Sequence, residues 1–176
     1  DHHGVCANMS FQFPRPFLLG LMQDITGTSG TADVYHPDCL TWKIMRILPE
    51  MSSQTGFEII RHYLGPADDG DARKGYQLSR RIARVFDQYL AYRPDMIRNW
   101  ESDRRHPEDE TWQAALWQAL LQDTAAVHPL ALYELFIARM QDSDPPLAIL
   151  PERISLIGVS ALPPLFIDVL LALSAW

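Results

Sequence analysis

Three sets of residues have the types and spacing for chemistry, and each implies a different kind. His3 with Cys6, and again His36 with Cys39, stand three positions apart, a spacing that can bring imidazole and thiolate onto one zinc ion. These ligands are few and lie on loops or extended chain, so incidental placement is the plainer account and no metal site is expected. Asp68, Asp69 and Asp71 form an acidic cluster of the kind that holds a divalent ion in hydrolases. With Gly70 among them, a solvated loop is the simpler reading. Gly27-Thr28-Ser29-Gly30-Thr31 lacks the Lys that a phosphate-cradling loop requires. No Ser–His–Asp or Cys–His set can be placed among the six histidines, so no catalytic residue is assigned.

The third set is more distinctive. Between Arg73 and Arg105 nine basic residues face four acids, a local balance of +5 in a chain whose net charge is −7, which leaves −12 for the remainder. A protein coating itself with nucleic acid would be basic throughout, so any contact with DNA must be local. Thirteen of the fifteen basic residues are Arg, which suits phosphate forks and base edges better than Lys.

The elements that must position these residues read as helices. Pro14 and Pro16 start a short helix running from about Phe17 to Ile25. Leu40, Ile44, Ile47 and Leu48 repeat at helical spacing, and Pro49 is expected to end that run. Phe57, Ile60, Tyr63 and Leu64 make another, closed by Gly65-Pro66. The longest helix carries Leu78, Ile82, Val85, Phe86, Tyr89 and Leu90 on one apolar stripe, with Arg80, Arg81 and Arg84 off it. Phe86 and Tyr89 are therefore core residues rather than base-stacking platforms. Pro94 imposes a break at Arg93, and a further turn or two follows over Asp95 to Trp100. Trp112, Leu116 and Leu120 mark the next helix, with Pro107 and three acids before it. Pro129 opens another, carrying Leu132, Leu135, Phe136 and Met140.

The tail differs in kind. Residues 153–159 (RISLIGV) read as a buried strand, followed by a Pro-Pro turn and a helix from Leu165 to Leu173, which together make half of a βαβ unit. That strand ends in Gly158-Val159-Ser160-Ala161 without the carboxylate that holds magnesium in nucleotide-hydrolysing helicases. The fold class expected is mainly α, and 176 residues suffice for one domain with a core. The absence of an initiator Met and an apolar helix ending at Trp176 suggest a domain cut from a longer protein. No run is long and apolar enough to span a bilayer, and two cysteines fit a reducing cytosol.

The run VFDQYLAYRPD (residues 85–95), continuing to Asn99-Trp100-Glu101, strongly resembles the RecC family, the gamma chain of exodeoxyribonuclease V. Supporting segments occur in the family's order: ANMSFQFP (7–14), LTWKIMRILPE (40–50), IIRHYL (59–64), WQAALWQAL (112–120) and RISLIGVSALPPLFIDVLLAL (153–173). The resemblance implies a fragment of the N-terminal helicase-like region. Residues 1–152 would be a mostly helical insertion. Residues 153–176 would be a strand–helix piece of a degenerate RecA-like core of the superfamily 1 helicase type, which no longer hydrolyses ATP and needs no cofactor. The implied role is to guide the unwound 3′-ended strand and scan it for the Chi signal. The implied partners are single-stranded DNA and the beta and alpha chains, in the cytoplasm and away from membranes. The family's DNA-contacting positions transfer to Asp87, Gln88, Arg93, Phe13 and Leu19, with Arg84 grouped beside them. Chemically, Arg93 can fork a phosphate or guanine, while Asp87 and Gln88 can address unstacked base edges. Two other readings stay open. Arg84 and Asp87 can be an ordinary surface ion pair three residues apart, leaving a helical scaffold that only docks partner subunits. Alternatively, the Asp68 loop can serve a metal-dependent nuclease.

Overall fold

The computed structural model describes residues 10–28, 34–65, 72–102, 111–142, 150–151 and 153–175. Among these residues eight helices form: α1 (Pro14–Thr26), α2 (Pro37–Met51), α3 (Glu58–Leu64), α4 (Ala72–Tyr92), α5 (Pro94–Glu101), α6 (Thr111–Gln122), α7 (Pro129–Met140) and α8 (Pro164–Ser174). Proline stands first in five of them. Its missing N–H is no loss there, and its fixed φ suits the first turn. His3, Cys6, the Asp68 cluster and most of the Gly/Ser/Thr loop lie outside the described residues.

The α4 helix organises the rest. No proline interrupts residues 72–92, and Ser79, Ile82, Ala83, Phe86 and Leu90 recur every three or four positions to form one buried stripe. Their opposite face leaves Arg80, Arg81 and Arg84 exposed. Against α4 lies α2, through Leu40, Ile44 and Leu48. The break before Pro94 is sharp: Arg93 takes φ −133°, ψ 54°, and α5 restarts at once. It folds back so that Trp100 packs edge-on against both Phe86 and Tyr89, with ring centres 5.8 and 5.7 Å apart. Phe86 is fully buried and Tyr89 packs against the same core, as their stripe positions require.

The core extends through α6 and α7. Trp117 stands edge-on to Phe86 (5.6 Å) and to His128 (5.7 Å). Beside these rings, α1 packs on α7, and α8 closes the bundle against α1, α4 and α7.

Two expectations from sequence are corrected. Pro49 does not end its helix; α2 runs through it to Met51. A proline this near the C-terminus removes a single bond, the one from its own nitrogen to the carbonyl of residue 45, and in the last turn Ser52 Oγ donates to the Pro49 carbonyl at 2.7 Å. The strand expected at residues 153–159 does not form, and no strand occurs among the described residues. Leu156, Ile157 and Val159 are exposed, Ile157 to 81%. A strand exists only through a partner that completes its ladder, and no described segment supplies one. The helix after it is present as expected, one residue longer at each end.

Candidate nucleic-acid interface

A groove of about 380 Å³ opens where the start of α1, the last turns of α4, the first residue of α7 and the approach to α8 converge. Leu19, Leu90, Leu165 and Phe166 make an apolar floor. The rim carries two exposed aromatic rings, Phe13 and Tyr92, while Pro129 and Pro163 stiffen the far wall. Phe13 is 83% exposed because it precedes α1 in extended conformation (ψ 144°) and so points away from the bundle. Leu19 lies two turns into α1, on its buried face.

Polar chemistry enters from one side. The Arg15 guanidinium grips Asp87 as a two-pronged fork: Nη1 donates to Oδ2 at 2.7 Å and Nη2 donates to Oδ1. The hydrogen bond to Asp87 raises the Arg15 pKa above its usual value, outweighing the opposing effect of burial. Arg15 spends two of its five N–H donors here and keeps 40% of its side chain exposed. Gln88 stands next to the fork, exposed, with an amide that both donates and accepts. The combination is an apolar slot with aromatic edges and a charge-neutral hydrogen-bonding corner. Such a site can take a flat, unstacked base: rings stack on it and the polar corner meets its edge.

The fold therefore gathers four of the six residues singled out from sequence, Phe13, Leu19, Asp87 and Gln88, around one opening. Arg84 lines a separate shallow hollow further up α4, with Arg73, Tyr76, Gln77, Arg80 and Arg81. Arg93 sits at the break after α4, exposed, and donates to Asp95 through Nε and Nη2 at 3.2 Å each. That bond holds the Asp95 carboxyl below its usual pKa. The surface ion pair expected between Arg84 and Asp87 does not form, since Arg15 occupies the carboxylate. His36 caps α2, accepting from Asp38 N–H at 3.3 Å, and Cys39 is exposed beside it.

Comparison with known proteins decides the family. The family model described as "RecC, N-terminal domain" matches residues 1–176. The chain belongs to the RecC family. It is 35% identical over 178 residues to the RecBCD enzyme subunit RecC of Escherichia coli K12, covering 97% of the chain and 16% of that relative. The Haemophilus influenzae RecC subunit is 31% identical over 198 residues, covering 98% of the chain and 18% of the relative. The Mycobacterium tuberculosis H37Rv subunit is 32% identical over 163 residues, covering 88% and 14%. This RecC-family chain thus spans less than a fifth of the length of the curated relatives it matches.

Sequence reasoning missed Arg15, Tyr92 and the α8 wall of the RecC-family groove. Arg15 lies 72 positions from its partner, and no local pattern links the two. Tyr92 carried a hint: it is an aromatic residue at the end of α4, off the apolar stripe.

Proposed function

We propose that this chain is a non-catalytic DNA-handling segment of the gamma subunit of the RecBCD helicase–nuclease, guiding single-stranded DNA and scanning it for Chi during repair and recombination. The observation that carries the reading is the groove itself. Phe13, Leu19, Asp87 and Gln88, up to 75 positions apart, line one base-sized slot. Pairing with Arg15 also answers an objection to Asp87, because a bare carboxylate would repel phosphate, whereas a forked one is neutral and still accepts from a base amino group. Arg93, directly after the groove-lining Tyr92, is a phosphate contact at the groove's edge. Asp87, Gln88, Phe13 and Leu19 are the base-facing set, and Arg84 belongs with the backbone contacts.

In the same proposal residues 1–152 are the helical insertion, and residues 153–176 belong to a degenerate RecA-like core completed by further chain. The apolar, unpaired stretch around Ile157 supports this division. The segment works without ATP or metal, alongside the beta and alpha chains, in the cytoplasm.

The test is Chi-dependent arrest of the assembled enzyme. Gln88→Ala and Asp87→Ala are expected to change which sequence halts the enzyme, with discrimination altered by about 1–3 kcal/mol for a lost base contact. Arg93→Ala is expected to weaken strand engagement evenly across sequences. Unchanged arrest frequency and sequence preference in both the Asp87 and Gln88 variants, with unwinding intact, would overturn the proposal. That result would favour a helical scaffold docking partner subunits, a reading to which the exposed Ile167 and Leu171 on α8 lend some weight.

A further inference from the structure

The α4 helix presents one continuous outward face, and only its last turns belong to the groove. At about 100° per residue, Tyr76, Gln77, Arg80, Arg81, Arg84, Asp87 and Gln88 fall within an arc of about 140°. From Arg80 to Gln88 the rise is about 12 Å. The groove residues and the arginine hollow are thus two stations in series along a single helix face.

The charge on that face is one-sided. Residues 72–86 contain no acid, in a chain carrying 22 acids against 15 bases. Among the described residues no ion pair engages Arg80, Arg81 or Arg84. All three are exposed, Arg80 and Arg81 side by side and Arg84 one turn on, so their like charges repel one another, and the nearest acid on the helix, Asp87, is taken by Arg15. Beside them an aromatic pair reaches the surface: Trp42 of α2, 63% exposed, meets Tyr76 with ring centres 5.5 Å apart and tilted by 45°. The core does not need Trp42 there, since α2 packs through Leu40, Ile44 and Leu48.

We infer that the Arg80–Arg81–Arg84 face of α4, with the Trp42–Tyr76 pair, is a second contact station for single-stranded nucleic acid, holding the backbone of the strand whose bases enter the groove at Asp87 and Gln88. The inference rests on the proposed function and extends it to residues outside the groove. Guanidinium groups spaced by about one helical turn match a run of phosphates and bind each as a fork. The exposed Trp42 ring, backed by the half-buried Tyr76, offers a stacking surface that accepts any base. Arginines with aromatic rings serve a protein surface equally well, but such a partner does not explain why the basic face continues directly into a base-sized slot.

Photocrosslinking in the assembled RecBCD-type complex, carrying the full-length subunit and given a forked DNA with a 3′ single-stranded tail, separates the two stations. Gln77 or Gln88, both exposed, is replaced by p-benzoylphenylalanine, one per complex. Crosslinks from both positions to the 3′-ended strand are expected. The Gln77 crosslink should fall about sevenfold between 50 and 200 mM salt if two phosphates are held. It should fall by a similar factor in the Arg80→Gln, Arg84→Gln double variant while the Gln88 crosslink persists. Crosslinking from Gln88 alone would overturn the inference and leave the proposed function standing. Attachment of the Gln77 probe to a protein subunit instead of DNA would assign the face to subunit docking and likewise overturn it. Failure of both probes to reach DNA would remove the proposed function together with the inference.

Discussion

Two carboxylates in this molecule are each held by a basic partner, and the contrast between them separates scaffold from site. Glu101, at the end of α5, lies against the aromatic core. Its Oε1 accepts from Trp117 Nε1 at 3.0 Å and from His128 Nε2 at 3.1 Å. His128 Nδ1 in turn accepts the Ala131 N–H at 3.2 Å and so caps α7. One imidazole therefore ties three helices together: it caps α7 with one nitrogen and binds the α5 carboxylate, already joined to α6, with the other. Asp87 has a single partner, Arg15, at the lip of an open groove. The first network links three helices through the core and is anchored on a single carboxylate oxygen, although Glu101 keeps 29% of its side chain exposed. The second keeps donors and acceptors in reserve, as a recognition surface must.

Breaking the core network should cost most. Trp117 is fully buried and touches Phe86, Tyr35 and His128, so Trp117→Ala is expected to lose about 3–5 kcal/mol in urea denaturation. Glu101→Gln should cost less, about 1.5–3 kcal/mol, the usual range for hydrogen bonds to a charged group. It also has a pH signature. Burial pushes the Glu101 carboxyl up, but the bonds from His128 and Trp117 outweigh it and hold the pKa below the ordinary 4.5. A carboxyl lowered in the folded state contributes stability above its unfolded pKa and loses it as pH falls through the folded value. The native chain should therefore lose stability below about pH 4.5 more steeply than Glu101→Gln. Parallel acid limbs in the two proteins would mean that Glu101 is not the group responsible.

How much of this was legible in the sequence depends on the range of each interaction. The α1, α7 and α8 helices follow from 3.6-residue periodicity with prolines at their first turns, and α4 from its periodicity, all of which are local. The stretch at residues 153–159 was misread because a short apolar run carries no information about its neighbour, and a strand is defined by its neighbour. Pro49 was misread for a milder reason, since one lost hydrogen bond is tolerable in a last turn already packed against α4. At the site, Asp87, Gln88, Phe13 and Leu19 were legible only through the family resemblance. The Arg15 fork was not, because it is created only when α1 and α4 meet. Local reasoning paired Asp87 with Arg84, the nearest cation along the helix, and the fold chose a distant one with better geometry.

Tyr35 sharpens the same contrast from the side of the core. Its ring packs near Trp117 and His128, yet its buried hydroxyl has no hydrogen-bond partner among the described residues. Burial, helped by the nearby Glu101 carboxylate, pushes its pKa up to about 12 from 10.0. An acid raised in the folded state stabilises below its unfolded pKa and ceases to do so as pH rises through the folded one. Alkaline destabilisation is thus expected between about pH 10 and 12. Tyr35→Phe should shrink that alkaline loss and, at pH 7, gain about 1 kcal/mol by removing an unsatisfied polar group. A loss of stability at pH 7 would show that the hydroxyl has a partner after all.

The smallest effect is expected at the groove, and its smallness is informative. The Arg15–Asp87 pair joins α1 to α4, but Arg15 is 40% exposed and water competes for both groups. Part-exposed ion pairs contribute about 0.2–1 kcal/mol. The two helices meet elsewhere through α7 and α8, whose buried Leu130, Phe136, Leu165 and Val169 do not depend on the fork. A double-mutant cycle with Arg15→Ala, Asp87→Ala and the combined variant should therefore give a coupling energy below about 1 kcal/mol, shrinking further in high salt. A coupling of several kcal/mol would place this pair with Glu101 and His128 among the groups that hold the fold. Any change in DNA recognition by Asp87→Ala would then have to be separated from damage to the bundle. A small coupling leaves Asp87 available to a ligand, since replacing it removes a hydrogen-bonding group from the groove without loosening the helices that form it.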